Sequence, residues 1–262
     1  MRLVLALGLV LLAACGRPEK IYAKDSRLKP EDVQSGDAFL QADTIALQDD
    51  DFANSGFLWV ERGERLFHAA AGAAPACSSC HTATDRPLKG VAAHYPKVDP
   101  ESGKLLNLEA RINLCRQNRQ DLAPLEYESD DLLGLTAYVA SLARGEPVSV
   151  EIGGPAAKYY KEGRDYFFLR KGQFNLACSQ CHNEHWGRKL RGDTISQGHG
   201  TAFPGYRLEW QDFGSLDRRL RDCDSGIRAE PQPYGSEVYT AVQLYLAKRA
   251  EGLPMESPGI RR

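Results

Sequence analysis

The pentapeptide CSSCH, from Cys77 to His81, returns 101 positions later as CSQCH, from Cys178 to His182. Two cysteines separated by two residues and followed by a histidine have the spacing of covalent c-type haem attachment. In that chemistry the thiols bind the two vinyl groups of one porphyrin, and the histidine is presented to the iron. A single copy could instead be a redox C-x-x-C or half of a zinc site. Two copies predict two haems, attached at Cys77, Cys80, Cys178 and Cys181, with His81 and His182 as proximal iron ligands.

The N-terminus predicts export from the cytoplasm. Arg2 is followed by an apolar run from Leu3 to Ala14, which is too short to span a bilayer and is typical of a signal peptide. The run ends in LAACG, which resembles a bacterial lipobox with Cys15 as the lipidated first residue of the mature chain. Cleavage near Ala14 without lipidation is the alternative. Both interpretations place the protein in the periplasm, with or without a lipid anchor.

Length and charge narrow the classes of protein. The chain has 262 residues, of which 42% are hydrophobic and 26% charged, and this suffices for two ordinary domains. The formal net charge is -2, whereas nucleic-acid binders normally carry a basic excess. We therefore expect no nucleic-acid partner.

An internal repeat surrounds the two haem motifs. ERGERLF before the first motif matches KEGRDYF before the second, and LTAYVASLARG near residue 140 matches AVQLYLAKRAEG near residue 246. Between these segments, four residue pairs match at a constant offset of 108: Pro96 with Pro204, Leu108 with Leu216, Arg111 with Arg219, and Cys115 with Cys223. Each repeat therefore has the order of a small cytochrome c domain: a helix, a haem motif, a loop and a closing helix. Because this order occurs twice, the sequence predicts a mostly α fold of two tandem cytochrome c-like domains.

The repeat also sets the expected boundaries. The first closing helix is followed by the segment GEPVSVEIGGP. Its proline, glycine and short apolar residues indicate an extended linker. In the N-terminal extension, DAFLQADTIALQ could form one helix, and we expect this arm to pack on the domains or to tether them to the membrane. The expected segments are a signal peptide (1–14), the extension (15–50), domain 1 (51–146), a linker (147–155), and domain 2 with a C-terminal tail (156–262).

Each haem iron needs a second axial ligand, most often methionine or histidine. Methionine is excluded by count, because Met1 is lost with the signal and Met255 lies in a proline-rich tail. His94 and His199 lie in the distal loops but do not align between the two repeats. Cys115 and Cys223 align without a gap, so we predict that they are the distal ligands. A Cys115–Cys223 disulfide is the alternative that an oxidising compartment permits.

An arginine accompanies each of these cysteines. Arg111 and Cys115 share the spacing R-x-x-x-C with Arg219 and Cys223, and in a helix such side chains lie on one face. A guanidinium there would stabilise a thiolate or bind an anion that approaches the sulfur. An ordinary exposed helix arginine is the alternative.

These motifs together resemble the SoxA family, the dihaem subunits of the SoxAX cytochrome. The resemblance rests on the two C-x-x-C-H motifs, a distal cysteine after each, the segment TAFPGYRLEW and the segment RLRDC, and it covers about residues 30 to 252. The lipobox departs from the usual free periplasmic form of the family.

The resemblance implies a reaction and partners. Members join thiosulfate to a cysteine of the SoxYZ carrier protein and pass two electrons to a c-type cytochrome, in a heterodimer with a monohaem SoxX-like cytochrome. It implies that Cys223 is the catalytic cysteine, carrying an extra sulfur as a persulfide, and that Arg219 binds substrate. The first haem then has a relay or structural role. A plain dihaem electron carrier, a tetrathionate-forming thiosulfate dehydrogenase, and a lipid-anchored redox sensor that switches Cys115 and Cys223 to a disulfide are the alternatives.

Overall fold

The structure, a computed structural model, describes residues 20–262. The expected signal peptide and Cys15, the candidate lipidation site, lie outside these residues. The fold is mostly helical, as the repeat predicts, and the helices are α1 (Ala42–Asp49), α2 (Phe57–His68), α3 (Leu108–Gln120), α4 (Asp130–Ser141), α5 (Ala157–Phe168), α6 (Cys178–His182), α7 (Leu216–Gly226) and α8 (Glu237–Arg249). Within residues 20–262, no helix has the length and apolar character needed to cross a membrane.

Each domain is built around one close helix crossing. In domain 1, α2 crosses α4 at Gly63, where an added Cβ would lie 1.9 Å from the carbonyl oxygen of Gly134. In domain 2, α5 crosses α8 at Gly163, where a Cβ would lie 2.0 Å from the carbonyl oxygen of Ala241. Because Gly63 and Gly163 are both the third residue of the matching ERGERLF and KEGRDYF segments, the repeat preserves the contact that sets the helix spacing.

The cysteine-bearing helices start in the same way in both domains. The Asn107 side chain accepts a hydrogen bond from the backbone N–H of Ala110 at the start of α3. The Ser215 side chain accepts one from Arg218 at the start of α7. Because these caps satisfy otherwise free N–H groups, they fix where each helix begins relative to the preceding loop.

A short antiparallel hairpin precedes each of these helices, and the sequence did not predict it. In domain 1 it joins β1 (Lys97–Val98) to β2 (Leu105–Leu106), with Lys97 opposite Leu106. In domain 2 it joins β5 (Gly205–Arg207) to β6 (Asp212–Gly214), with Gly205 opposite Gly214. The two registers differ by the same offset of 108, so the hairpins are duplicated along with the helices.

Domain 2 carries two additions to this plan. Its loop after the haem motif is longer than that of domain 1 and contains the hairpin of β3 (Lys189–Leu190) and β4 (Asp193–Thr194). The strand β7 (Gly259–Arg261) pairs in parallel with β5, which gives a three-stranded sheet in the order β6-β5-β7.

The N-terminal arm packs along domain 2 before the chain enters domain 1. The backbone N–H of Ala23 donates to the carbonyl of Phe168 over 2.8 Å. The Asn183 side-chain amide donates to the carbonyl of Ser26 over 2.6 Å, and that of Gln197 donates to the carbonyl of Asp32 over 2.7 Å. Of the single helix expected in DAFLQADTIALQ, only the second part forms α1, and Gly36–Phe39 form a separate 3₁₀ turn.

The expected linker is extended and pairs with the C-terminal tail. The N–H of Gly145 donates to the carbonyl of Met255, and that of Val148 donates to the carbonyl of Leu253, each over 2.9 Å. Further along the tail, the Asn54 side-chain amide donates to the carbonyl of Pro258 over 2.9 Å. The tail therefore joins domain 1, domain 2 and the N-terminal arm.

Candidate active site

The second haem motif forms the short helix α6, and its histidine is oriented by the backbone. His182 Nδ1 lies 2.7 Å from the carbonyl oxygen of Ser196, so this nitrogen carries the proton and donates it. Burial lowers the pKa of His182 to about 4, and Arg219 and Arg249 act in the same direction. The imidazole is therefore neutral, and its Nε2 lone pair is available to a metal.

The first motif repeats this arrangement. Its residues Cys77 to Ser79 form one 3₁₀ turn, and His81 Nδ1 lies 3.0 Å from the carbonyl oxygen of Arg86. A cavity of about 220 Å³ adjoins Cys77, and several leucines line it: Leu66, Leu122, Leu125 and Leu135. Arg116, Gln120 and Asp131 also line the cavity. A largely apolar cavity beside Cys77, with a backbone-oriented imidazole in the same motif, fits the requirements of a covalently attached haem.

The distal cysteines face the haem motif of their own domain. Cys115 is close enough to Cys77 to help raise its pKa, although burial is the larger cause. Cys223 acts in the same direction on Cys178 and on Cys181, where burial is again the main cause. Both cysteines are free thiols among the described residues, and no Cys115–Cys223 disulfide forms. Their role as iron ligands stays a prediction.

The two histidines considered as rivals are engaged elsewhere. His94 is exposed, and its Nδ1 lies 2.8 Å from the carbonyl oxygen of Ser149 in the linker. His199 Nε2 lies 3.2 Å from Gln197 Oε1, and its ring is near His182, which helps to lower the pKa of His199 to about 3 after the larger effect of burial. His199 Nδ1 is buried without a hydrogen-bond partner within the described residues, so the choice of Cys223 over His199 as the distal ligand stays a prediction.

Helix α7, which carries Arg219 and Cys223, is held by its own acidic residues. The Trp210 indole N–H donates to Asp222 over 2.5 Å. Asp224 is buried, accepts from Tyr166 and from Tyr239 over 2.9 Å, and forms an ion pair with Lys171 over 2.7 Å. These bonds tie α7 to the preceding loop, to α5 and to α8, so the face with Cys223 has a fixed orientation.

The three arginines of the segment RRLR, residues 218–221, differ in their contacts. Arg218 pairs with Asp212 over 2.8 Å and stacks on Trp210, and Arg221 donates to the carbonyl of Gln232 and stacks on Tyr234. Arg219 has no ion pair and donates no side-chain hydrogen bond within residues 20–262. It shares one face of α7 with Cys223, four residues later, and its positive charge is one of the causes that lower the pKa of His182. Arg219 is therefore the arginine that remains available to a ligand.

In domain 1 the equivalent arginine is neutralised. Arg111 Nη1 lies 3.0 Å from Asp99 Oδ1, and the Asp99 carboxylate is only 3% exposed. Hydrogen bonds from the hydroxyl and the backbone N–H of Ser102, together with Arg111, hold the pKa of Asp99 below its ordinary value. The two R-x-x-x-C motifs thus have the same helical geometry and different electrostatics.

Two further cations of the second site were not found from the sequence. Arg207 on β5 is 3% exposed, and burial and the nearby Arg219 lower its pKa. Arg249 lies at the end of α8, with its guanidinium carbon 4.6 Å from the centre of the Phe167 ring. Its guanidinium donates to the carbonyl of Gln197 over 2.9 Å. In both guanidinium groups Nε is buried and has no hydrogen-bond partner within the described part of the chain. These orphaned donors fit an anion, such as a haem carboxylate or an anionic substrate.

Comparisons with known proteins agree with this geometry. Residues 62–148 match the family model described as SoxA/TsdA, cytochrome c domain. The chain is 37% identical to the L-cysteine S-thiosulfotransferase subunit SoxA of Rhodovulum sulfidophilum, over 88% of this chain and 81% of that protein. It is 34% identical to the subunit of the same name from Paracoccus pantotrophus, over 87% and 79% respectively. The crystal structure of SoxXA from P. pantotrophus superposes with a TM-score of 0.82 at 33% identity, covering 88% of this chain and 87% of that one.

Proposed function

Because this chain belongs to the SoxA family, whose relatives are L-cysteine S-thiosulfotransferase subunits, we propose that it oxidatively joins thiosulfate to a cysteine of a SoxYZ-type carrier protein. The observation that carries the proposal is the face of α7, where Cys223 lies one turn from an arginine that has no ion pair within the part of the chain that the structure describes. A thiol beside a free guanidinium suits a substrate that is both a dianion and a sulfur nucleophile.

The reaction balances in two steps. The thiolate sulfur of Cys223, or an outer persulfide sulfur on it, bonds to the sulfane sulfur of thiosulfate, and two electrons leave. The thiolate of the carrier cysteine then attacks that sulfane sulfur, so that a new S–S bond forms to the carrier and the bond to Cys223 breaks. The net change is one carrier thiol and one thiosulfate converted to a cysteine S-thiosulfonate, one proton and two electrons.

The chain's own residues have separate roles in this proposal. Arg219 holds the sulfonate end of thiosulfate through its fork of N–H donors, which directs the sulfane sulfur along the helix face toward Cys223. His182 and Cys223 would hold the second c-type haem, and Cys178 and Cys181 would attach it. His81, Cys115, Cys77 and Cys80 would do the same for the first haem.

A c-type haem supplies the capacity to accept electrons singly and pass them to another cytochrome. Arg111 is paired with Asp99 and is not free to bind a substrate anion, so we assign domain 1 a relay or structural role. We propose two covalent haems in each chain, one in each domain.

We also propose the partners and the location. A SoxX-like monohaem cytochrome is the expected second subunit, in accordance with the SoxXA structure that this fold matches. A c-type cytochrome is the expected electron acceptor. The periplasm is the expected compartment, and Cys15 is the candidate lipid anchor.

The test is peptide mass spectrometry of the unreduced holoprotein, before and after incubation with thiosulfate. A Cys223 peptide heavier by one sulfur, or by one thiosulfate after incubation, is the expected result, and an unmodified Cys223 in both samples would favour a plain electron carrier. The same spectra report the state of Cys15. A requirement for the carrier thiol during turnover separates the proposal from tetrathionate formation.

A further inference from the structure

The hairpin before each cysteine-bearing helix presents one charged residue to the arginine of that helix. In domain 1 this residue is Asp99, whose N–H donates to the carbonyl of Lys104 over 2.9 Å. In domain 2, Arg207 is paired with Asp212 in the β5–β6 register. Their strand partners, Lys104 and Asp212, are related by the offset of 108, and so are Asp99 and Arg207. Asp99 and Arg207 therefore occupy the same position in the two hairpins and carry opposite charges.

In domain 1, the side chain at this hairpin position lies against the arginine of the following helix. Asp99 Oδ1 is 3.0 Å from Arg111 Nη1, and this pair occupies the space between the hairpin and α3. Arg111 is the equivalent of Arg219 in domain 2. By the same register, Arg207 lies on the side of its hairpin that faces α7, and the charge of Arg219 is close enough to help lower the pKa of Arg207 after the larger effect of burial.

Two facing guanidinium groups are unfavourable without an anion between them. Arg207 has one acidic partner, Glu209, at 2.5 Å from Nη2, and the Glu209 side chain is 57% exposed. The Arg207 side chain is 4% exposed, lies 5.0 Å from the Trp210 ring, and has a buried Nε with no partner within residues 20–262. Asp222 is a second acid near Arg207. Arg219 adds a positive charge that has no ion-pair partner within residues 20–262, so its donors remain free for an anion.

We infer that the exchange of Asp99 for Arg207 decides which of the two domains binds an oxyanion, and that Arg207 binds thiosulfate together with Arg219. This inference rests on the proposed function for the identity of the anion. Thiosulfate carries two negative charges, which match the two facing guanidinium groups. In domain 1 the Asp99 carboxylate already occupies the equivalent place, so no anion enters there.

A carboxylate of the haem is another oxyanion that Arg207 could bind. The test distinguishes the two sources by using sulfate, an inert dianion of the same shape as the substrate. Sodium sulfate is titrated calorimetrically into the oxidised holoprotein, with its partner cytochrome and without the carrier, for wild type, Arg207→Gln, Arg207→Lys and Asp99→Asn. The thiosulfate KM and kcat are measured separately with the carrier.

We expect one sulfate site in the wild type, about tenfold or more weaker binding in Arg207→Gln, and partial rescue in Arg207→Lys. The thiosulfate KM of Arg207→Gln should rise by a similar factor with little change in kcat. Asp99→Asn, which keeps an oxygen for Ser102 and releases Arg111, should gain a second and weaker sulfate site. Asp51→Asn is the matched control, because it also removes the acid of an ion pair, at 2.6 Å from Arg144, and should keep one site.

Unchanged sulfate affinity and KM in Arg207→Gln would overturn the inference, and a changed haem spectrum or potential in that variant would then assign Arg207 to the haem carboxylate. A wild type that binds no sulfate would overturn it as well. If Asp99→Asn does not fold, the two Arg207 variants still decide the result. Sulfate binding that follows this pattern, without transfer of thiosulfate to the carrier, would leave the anion site standing and reject the proposed function.

Discussion

Arg219 and Cys223 lie four residues apart on one face of α7, and Arg219 is the arginine of the RRLR run that has neither an ion pair nor a side-chain hydrogen bond within residues 20–262. The neighbouring Arg218 is bound to Asp212 and stacked on Trp210. One helix turn therefore contains a cation available to a ligand and a cation fixed to the protein, which gives a matched pair for mutation.

Arg219→Ala should lower kcat/KM for thiosulfate by about a hundredfold or more, because it removes charge-assisted donors from the substrate anion. Arg218→Ala, which removes the same charge one residue away, should lower it by about threefold at most. Steady-state assays with the carrier protein check both, and haem staining shows whether both haems remain attached. Equal losses in the two variants would remove the special role of Arg219.

Arg111→Ala should leave kcat/KM for thiosulfate within about threefold of wild type, because Asp99 already neutralises that arginine. The variant leaves Asp99 without its cation, so the free energy of unfolding should fall modestly. Calorimetry and the same activity assay measure the two effects. A loss of activity as large as that of Arg219→Ala would contradict the assignment of substrate binding to domain 2 and of a relay or structural role to domain 1.

Gly63→Ala and Gly163→Ala should each destabilise the holoprotein by about 1–3 kcal/mol or more, because the new methyl group would meet a backbone carbonyl across the helix crossing. Gly153→Ala is the control, since a Cβ there has no heavy atom within 4 Å. Thermal unfolding followed by circular dichroism measures all three variants. Unfolding midpoints that agree among the three would show that the crossings tolerate a wider spacing.

Glu109→Gln should make stability less dependent on pH. Burial, with smaller contributions from Asp217 and Glu128, raises the pKa of Glu109 from 4.5 to about 8. Between these values the folded state holds a proton that the unfolded chain has released, so stability falls as pH rises, by up to about 1.4 kcal/mol per pH unit. The neutral amide removes this contribution.

The measurement is the unfolding midpoint of wild type and Glu109→Gln at several pH values from 5 to 8. The gap between them should widen in favour of the variant as pH rises. Burial also raises the pKa of Asp217 and of Glu128, so part of the slope should remain. Glu101→Gln, on an exposed carboxylate, should follow the wild type.

The sequence predicted the helices and the duplication, because C-x-x-C-H spacing and helical periodicity are local signals. It did not predict the hairpins, whose strands are two or three residues long and have no clear alternation. The pair Asp99 and Arg207 could have been found, since the offset of 108 already aligns the two residues. Which arginine of RRLR is free could not be found, because that depends on Asp212, Trp210 and Gln232, which only the folded chain brings near.

The pairing of residues 252–261 with the linker, with β5 and with the N-terminal arm has a consequence for the order of folding. The Ile260 N–H donates to Gln48 Oε1 over 3.1 Å, and the Gly145 N–H donates to the carbonyl of Met255 over 2.9 Å. These residues follow every helix within residues 20–262, so they are the last part of the described fold to be synthesised. Neither domain can therefore complete its contacts during synthesis of the other, and the molecule closes as one unit only after residues 252–261 have been made.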